Sequence, residues 1–313
     1  MIVVRTLRAG HHEPVMTTVW SGEKGTVPVI GSSTAYERVS RNTFFTQGSK
    51  MSSQSTSLLI ALILLSFTGC ESAESRAITA IEALGGAFDG WERLDISGTP
   101  ITDSGMEHLK GFTRLQRLDL TNTQITDAGL EHLKGLSSLR VLQLTNTPIM
   151  DAGLEHLKGL TTLEYLFLTN TPIGDAGLEY LQGLSSLRYF DISNTEVSDT
   201  GLAYVKGFTQ LESLRLNDTQ VTDAGLEHVE GLSNLEFLLL TNTQISDAGP
   251  EHLKSLTNLR HLNLTNTQVT DAAVEHLKEL SSLEELRLNN TQISHVGFEE
   301  LRAALPECSI VGG

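Results

Sequence analysis

From residue 91 onward the hydrophobic positions fall into a pattern that returns every 24 residues, and within each unit the pattern changes its own period. In Leu115–Ser138, LQRLDLTNTQITDAGLEHLKGLSS, the apolar Leu118 and Leu120 alternate with Arg117, Asp119 and Thr121, which predicts a short strand with one buried side. In the following DAGLEHLKGL, Leu130, Leu133 and Leu136 share one stripe while Glu131, His132 and Lys134 face away, which predicts about two turns of helix. Asp127 is placed as its N-cap, and Gly135 before Leu136 as a left-handed C-terminal stop. Units begin at Trp91, Leu115, Leu139, Leu163, Leu187, Leu211, Leu235, Leu259 and Leu283, giving nine copies over residues 91–305. One unit alone buries too little to offset the entropy of ordering its backbone, so the copies must stack.

The core LxxLxLxxTxI resembles the LxxLxLxx(N/C)xL signature of the leucine-rich repeat family, and the GLEHL half is similar to its cysteine-containing subclass. The resemblance implies an α/β fold: a right-handed solenoid, curved as a horseshoe, with a concave parallel β-sheet, convex helices, and partners bound across the concavity. It does not name the partner, since one fold hosts many functions.

The ninth position of the unit is threonine in every copy: Thr99, Thr123, Thr147, Thr171, Thr195, Thr219, Thr243, Thr267 and Thr291. It stands where the family keeps an inward Asn or Cys, and a buried hydroxyl there can satisfy backbone groups of adjacent turns, so the column is expected to be a structural ladder. The asparagines before it, Asn122 through Asn290, suit a turn with special backbone angles. Departures are local. Pro250 falls in a first helical turn, where a missing amide hydrogen is tolerated, and His295 replaces the cap aspartate with Ser294 as substitute.

Residues 71–85 place Ile78, Ile81 and Leu84 at helical spacing, which predicts a capping helix over the first unit within an N-terminal segment 70–90; Phe298–Leu305, Pro306 and the run Cys308–Val311 predict a last helix and edge strand, with 306–313 as the C-terminal cap. Residues 1–50 show no sustained period and are expected to form no stable fold. Met51 heads a different passage, as a true start would. An apolar run from Leu58 to Phe67 is too short to span a membrane but suits a signal-peptide core over 51–69. Its end, Phe67-Thr68-Gly69-Cys70, resembles the lipobox of bacterial lipoproteins with Phe in place of the usual Leu. That resemblance implies cleavage before Cys70, lipid on its thiol, and a protein anchored in the bacterial cell envelope. The alternative is a free cysteine after a buried helix.

Charge sharpens this division. The 313 residues carry −16, but residues 1–69 hold six basic and three acidic side chains, leaving 16 basic and 35 acidic residues, or −19, in the remainder. Such a chain repels phosphate backbones, so no nucleic acid is expected as partner.

Chemistry is sparse. HExxH, GxSxG, P-loop and GxGxxG motifs are missing, and the carboxylates lie at caps or solvent faces, so no enzyme activity and no cofactor are expected. The histidines His108, His132, His156, His228, His252 and His276 form a column interrupted by Tyr180 and Tyr204. Each helix supplies one imidazole, too few to converge on a metal, so none is expected. What varies among the copies is the third and fifth strand positions, which point outward. They bring forward Val141, Tyr165, Phe167, Tyr189, Arg215, Phe237 and Leu239 as the expected site for a protein or peptide, on a monomeric, non-enzymatic scaffold. The competing expectation is a structural envelope component, or a metal-binding convex surface, without a specific macromolecular partner.

Overall fold

The computed structural model describes residues 3–7, 15–19, 78–79, 81–83, 85–89 and 92–312. The signal segment and Cys70 lie outside them. In residues 1–50, which form a unit of their own, β1 (Val3–Leu7) pairs antiparallel with β2 (Val15–Val19), where no regular element was expected.

The rest is one repeating solenoid. β3 (Ala87–Asp89) precedes nine strands that head the nine units: β4 (Arg93–Asp95), β5 (Arg117–Asp119), β6 (Val141–Gln143), β7 (Tyr165–Phe167), β8 (Tyr189–Asp191), β9 (Ser213–Arg215), β10 (Phe237–Leu239), β11 (His261–Asn263) and β12 (Glu285–Arg287). β13 (Ser309–Val311) follows the last unit, as expected from its apolar run. They form one open sheet in sequence order, parallel from β4 to β13 and with registers advancing by 24 residues from β4 to β13. β3 was not anticipated: it pairs antiparallel with β4 and covers the first edge together with Ile81, whose side chain is buried in the core. The last helix, His295–Ala304, starts three residues earlier than its apolar pattern implied, because Ser294 caps it by accepting from the Gly297 amide.

Each of the nine strands β4–β12 is three residues long, with its central residue buried and its flanks turned outward, as in Tyr165-Leu166-Phe167. The chain then turns through one residue in the left-handed region in every unit: Gly98 at φ 62°, Asp218 at 55°, and asparagines between 52° and 59° elsewhere. Asparagine tolerates this geometry where most residues do not. Its side chain also links the units. The amide of Asn170 donates to Asn146 at 2.7 Å and that of Asn194 to Asn170 at 2.7 Å. The threonine after it behaves differently from expectation. All nine hydroxyls donate to the carbonyl three residues earlier in their own unit at 2.6–2.8 Å, so they close the turn locally and do not bridge neighbouring units.

Two further expectations are corrected. Gly135 has no positive φ; the helix ends through a tight turn in which the Leu136 amide donates to the Leu133 carbonyl at 2.9 Å. Asp127 is the first helical residue, with Thr126 at the cap. Its carboxylate serves the next unit. Eight aspartates, from Asp103 to Asp271, each accept the amide of the residue 23 positions on, at 2.6–2.8 Å. Where that residue carries a hydroxyl, as Ser198 does opposite Asp175, the second carboxylate oxygen commonly accepts it too. The space for this carboxylate explains the glycine in DAG. A Cβ on Gly201 would stand 2.4 Å from Oδ1 of Asp175, and the same conflict recurs at six other glycines. The unit with Ala273 in this place, and the one with Pro250, open with 3-10 turns, at Asp271–Ala273 and Gly249–Leu253, in place of the usual α-turn.

Gly201→Ala is therefore expected to displace Asp175 and to lower stability by about 1–3 kcal/mol, the usual cost of overpacking, despite alanine's better helix propensity. Gly135→Ala, whose Cβ meets nothing within 4 Å, is expected to leave stability nearly unchanged. Denaturant midpoints of the two variants check the difference.

Candidate functional site

The outward strand positions are polar or charged toward both ends of the array and carry aromatic stacks in its middle. On β7 and β8 the rings of Tyr165 and Tyr189 stack with centroids 6.2 Å apart, and Phe167 lies 4.7 Å from Tyr189. These rings are half-buried against one another, less exposed than strand alternation alone implies. From β9 the guanidinium of Arg215 reaches back to stand 5.0 Å over the Tyr189 ring, a cation–π geometry. Burial under this stack pushes the Tyr189 phenol up from 10.0 to about 12, against the opposing pull of Arg215.

A second stack begins one strand further. Phe237 on β10 lies parallel to the His261 ring on β11 at 4.3 Å, and His261 Nδ1 is 3.4 Å from Oε2 of Glu285. A bond from Arg287 to Glu285 holds that carboxyl below its usual range. The two stacks lean away from each other across Ser213, a small buried residue at the same register. The gap is a cleft of about 220 Å³ bordered by Tyr189, Ser213, Arg215, Glu236 and Phe237.

The structure thus brings together Tyr165, Phe167, Tyr189 and Arg215, and sets Phe237 apart with His261. Leu239 is half-buried beside Arg215 in register. Val141 is in register with Tyr165 but also borders a separate depression of about 280 Å³ with Arg117, Asp119 and Gln143. Sequence reasoning missed the part played by His261 and the gap at Ser213. Both were visible as members of the variable third column, but their pairing depends on which way each ring leans.

A column of ion pairs edges this face one residue before the strands. Arg140 meets Glu164 at 3.0 Å, Arg188 meets Glu212, and Arg260 meets Glu284, each pair 24 residues apart. Exposed pairs of this kind contribute little stability but hold side chains in one orientation. Glu236 has no ion-pair partner among the described residues.

The histidine column has other surroundings. Nδ1 of His132, His156 and His228 is buried without a hydrogen-bond partner, while His252 Nδ1 lies 2.7 Å from Oε1 of Glu230. Burial and the nearby Lys206 hold His228 below its ordinary value. Among the described residues no three His, Cys, Asp or Glu side chains are grouped to hold a metal.

The sequence matches the family described as leucine-rich repeat region over residues 132–310, and leucine rich repeat over residues 91–149. The chain belongs to the leucine-rich repeat family. Its fold, one open sheet of parallel strands joined by short helical turns, is that of a leucine-rich repeat solenoid, which commonly serves as a protein-binding scaffold. It is similar to internalin C2 of Listeria monocytogenes at 27% identity, covering 70% of this chain and 84% of that one with a TM-score of 0.54. A leucine-rich repeat protein of Leptospira interrogans shares the fold at 23% identity and a TM-score of 0.52, over 65% of this chain and 56% of its own. No curated protein sequence matches the chain.

The raised Tyr189 value carries a sign. The protonated phenol is favoured in the folded leucine-rich repeat array, so its contribution to stability is intact below about pH 10 and is lost as pH rises through about 12. A spectrophotometric titration is expected to show one late-ionising tyrosine that is missing in Tyr189→Phe.

Proposed function

We propose that this protein is a non-enzymatic scaffold that binds a protein or peptide on the outward face of its sheet, at the bacterial cell envelope, held there by lipid on Cys70. The observation that carries the binding reading is the cluster of Tyr165, Phe167, Tyr189 and Arg215 on a face where the two first and two last units place only polar or charged residues. The core does not require these side chains, because Leu166 and Phe190 between them already fill the interior. Tyrosine and arginine dominate binding hot spots, and contiguous apolar patches on a protein surface mark interaction sites.

The anchor rests on the sequence of residues 51–70. Two or three acyl chains hold a protein stably, at about 0.8 kcal/mol per buried methylene, where one chain does not. Among the described residues no helix is long and apolar enough to cross a membrane.

Replacing Tyr165 and Phe167 together by Ala is expected to leave the circular dichroism of the fold unchanged while weakening capture of the partner by at least about 2 kcal/mol, roughly thirtyfold. Retention of the same captured protein at the same affinity overturns the reading. Cys70→Ser is expected to abolish the lipid mass increment and the membrane fraction; a wild-type protein with neither shows that no anchor forms.

A further inference from the structure

The column of charges one residue before the strands does not balance. Between Arg140 and Glu284 it holds three arginines and four glutamates, so one carboxylate stays unmatched however the pairs are drawn. That place falls to Glu236, half-buried just before β10 and lying between the Arg188–Glu212 and Arg260–Glu284 pairs. The cleft over Ser213 carries the same excess. Around it Arg188 is engaged by Glu212 and Arg215 stands against Asp191, which leaves Glu236 as an uncompensated negative charge. Arg215 belongs to the far end of the cleft, three residues further along the strand direction than Glu236, or roughly 10 Å. The rings differ as well. Tyr189 already has a cation over it in Arg215. Phe237, 38% exposed, has His261 on one side and borders the cleft on the other, with no guanidinium or ammonium over it among the described residues. An aromatic face beside an unmatched carboxylate is an arrangement that holds a cation.

Building on the binding reading above, we infer that the cleft receives a basic side chain of the bound peptide, a lysine or arginine whose stem lies along Phe237 and whose charged end meets the Glu236 carboxylate. The floor leaves room for it. Ser213 is small and buried, and Tyr189 and Phe237 stand two strands apart, roughly 9.6 Å. Carbon atoms in contact are about 3.5–4.0 Å apart, so one unbranched stem fits between the rings. An apolar occupant would cover the carboxylate without pairing it, and an acidic one would add to its charge. The −19 of residues 70–313 also draws a cationic segment toward the array as a whole. The aromatic stack sets the second contact. Tyr165 on β7 lies three strand spacings from Phe237 on β10, about 14 Å. An extended chain covers that distance in about four residues. The ligand therefore carries a basic residue with an apolar one about four positions away, the latter packed on Tyr165 and Phe167.

The test pans a library of displayed random short peptides on the full chain, then measures synthetic copies of the selected sequences. The expected result is enrichment of Lys or Arg about four positions from an apolar residue. Changing that basic residue to Gln should cost at least about tenfold in affinity for the wild type, as the loss of a charged hydrogen bond does. In Glu236→Gln the same change should cost at most about a third as much, since only the contact with the ring is left. Glu179→Gln, which removes one negative charge from the exposed end of the helical turn Asp175–Glu179, should keep the full penalty and so separates local pairing from overall charge. Binders without a basic preference, binders enriched in acidic residues, a Gln change that the wild type tolerates, or an equal effect of the two protein variants overturn the inference. If the peptides selected in such a case are lost on replacing Tyr165 and Phe167 by Ala, the binding reading stands and only the assignment of the cleft fails. If the selected peptides keep their affinity after that replacement, or if no binder emerges, both fail.

Discussion

The stacking of this solenoid depends on one contact repeated eight times: an aspartate carboxylate in one helical turn accepts the backbone amide that enters the next turn. That amide would otherwise be an orphan donor at a helix N-terminus. Meeting it with a charged acceptor also places negative charge at the positive end of the turn. The glycine two residues on exists to leave room for the carboxylate from the preceding unit. The DAG motif is therefore an interface between units more than a cap within one. At Asp271 the bonds from Ser294 hold the carboxyl below its usual value.

This division of labour separates stability from recognition. Inward positions are leucine or a close substitute, almost entirely inaccessible, and interchangeable among units. Outward strand positions take no part in the core, so they vary without disturbing the stack. The aromatic rings on β7 and β8 use that freedom, and Arg215 from β9 joins them across the strand boundary. The ion pairs Arg140–Glu164 and Arg188–Glu212 then border the same units, setting the side chains at its rim.

Much of the fold was legible because periodicity reports which side of an element is buried. The strands, the helical turns, the left-handed asparagines and the final edge strand all follow from it. Partner choice was not legible. Thr171 and Asp175 both looked like residues that satisfy backbone groups, but the threonine bonds three residues back and the aspartate bonds 23 residues on. Composition cannot distinguish a donor's own turn from the next, since both offer the same atoms. β3 escaped notice for a related reason: Ala87–Asp89 carries no apolar alternation, and it pairs with an edge that only the folded array provides. At the binding face the outward columns were readable, while the lean of Tyr189 toward β7 and of Phe237 toward β11 is set by neighbours in space.

The bonds between units span fixed separations in sequence: 23 residues for the aspartates, 24 for Asn146 to Asn122, and 25 for Ser255 to the Glu230 carbonyl. All three are counted against the same period, so a gene that gained or lost one codon inside a unit would put every one of them out of step at that point. Adding or deleting a whole unit leaves each bond with an equivalent partner. Length in this molecule is thus quantised: it can grow or shrink by duplication in steps of 24, and each step carries one more pair of outward positions to be written independently.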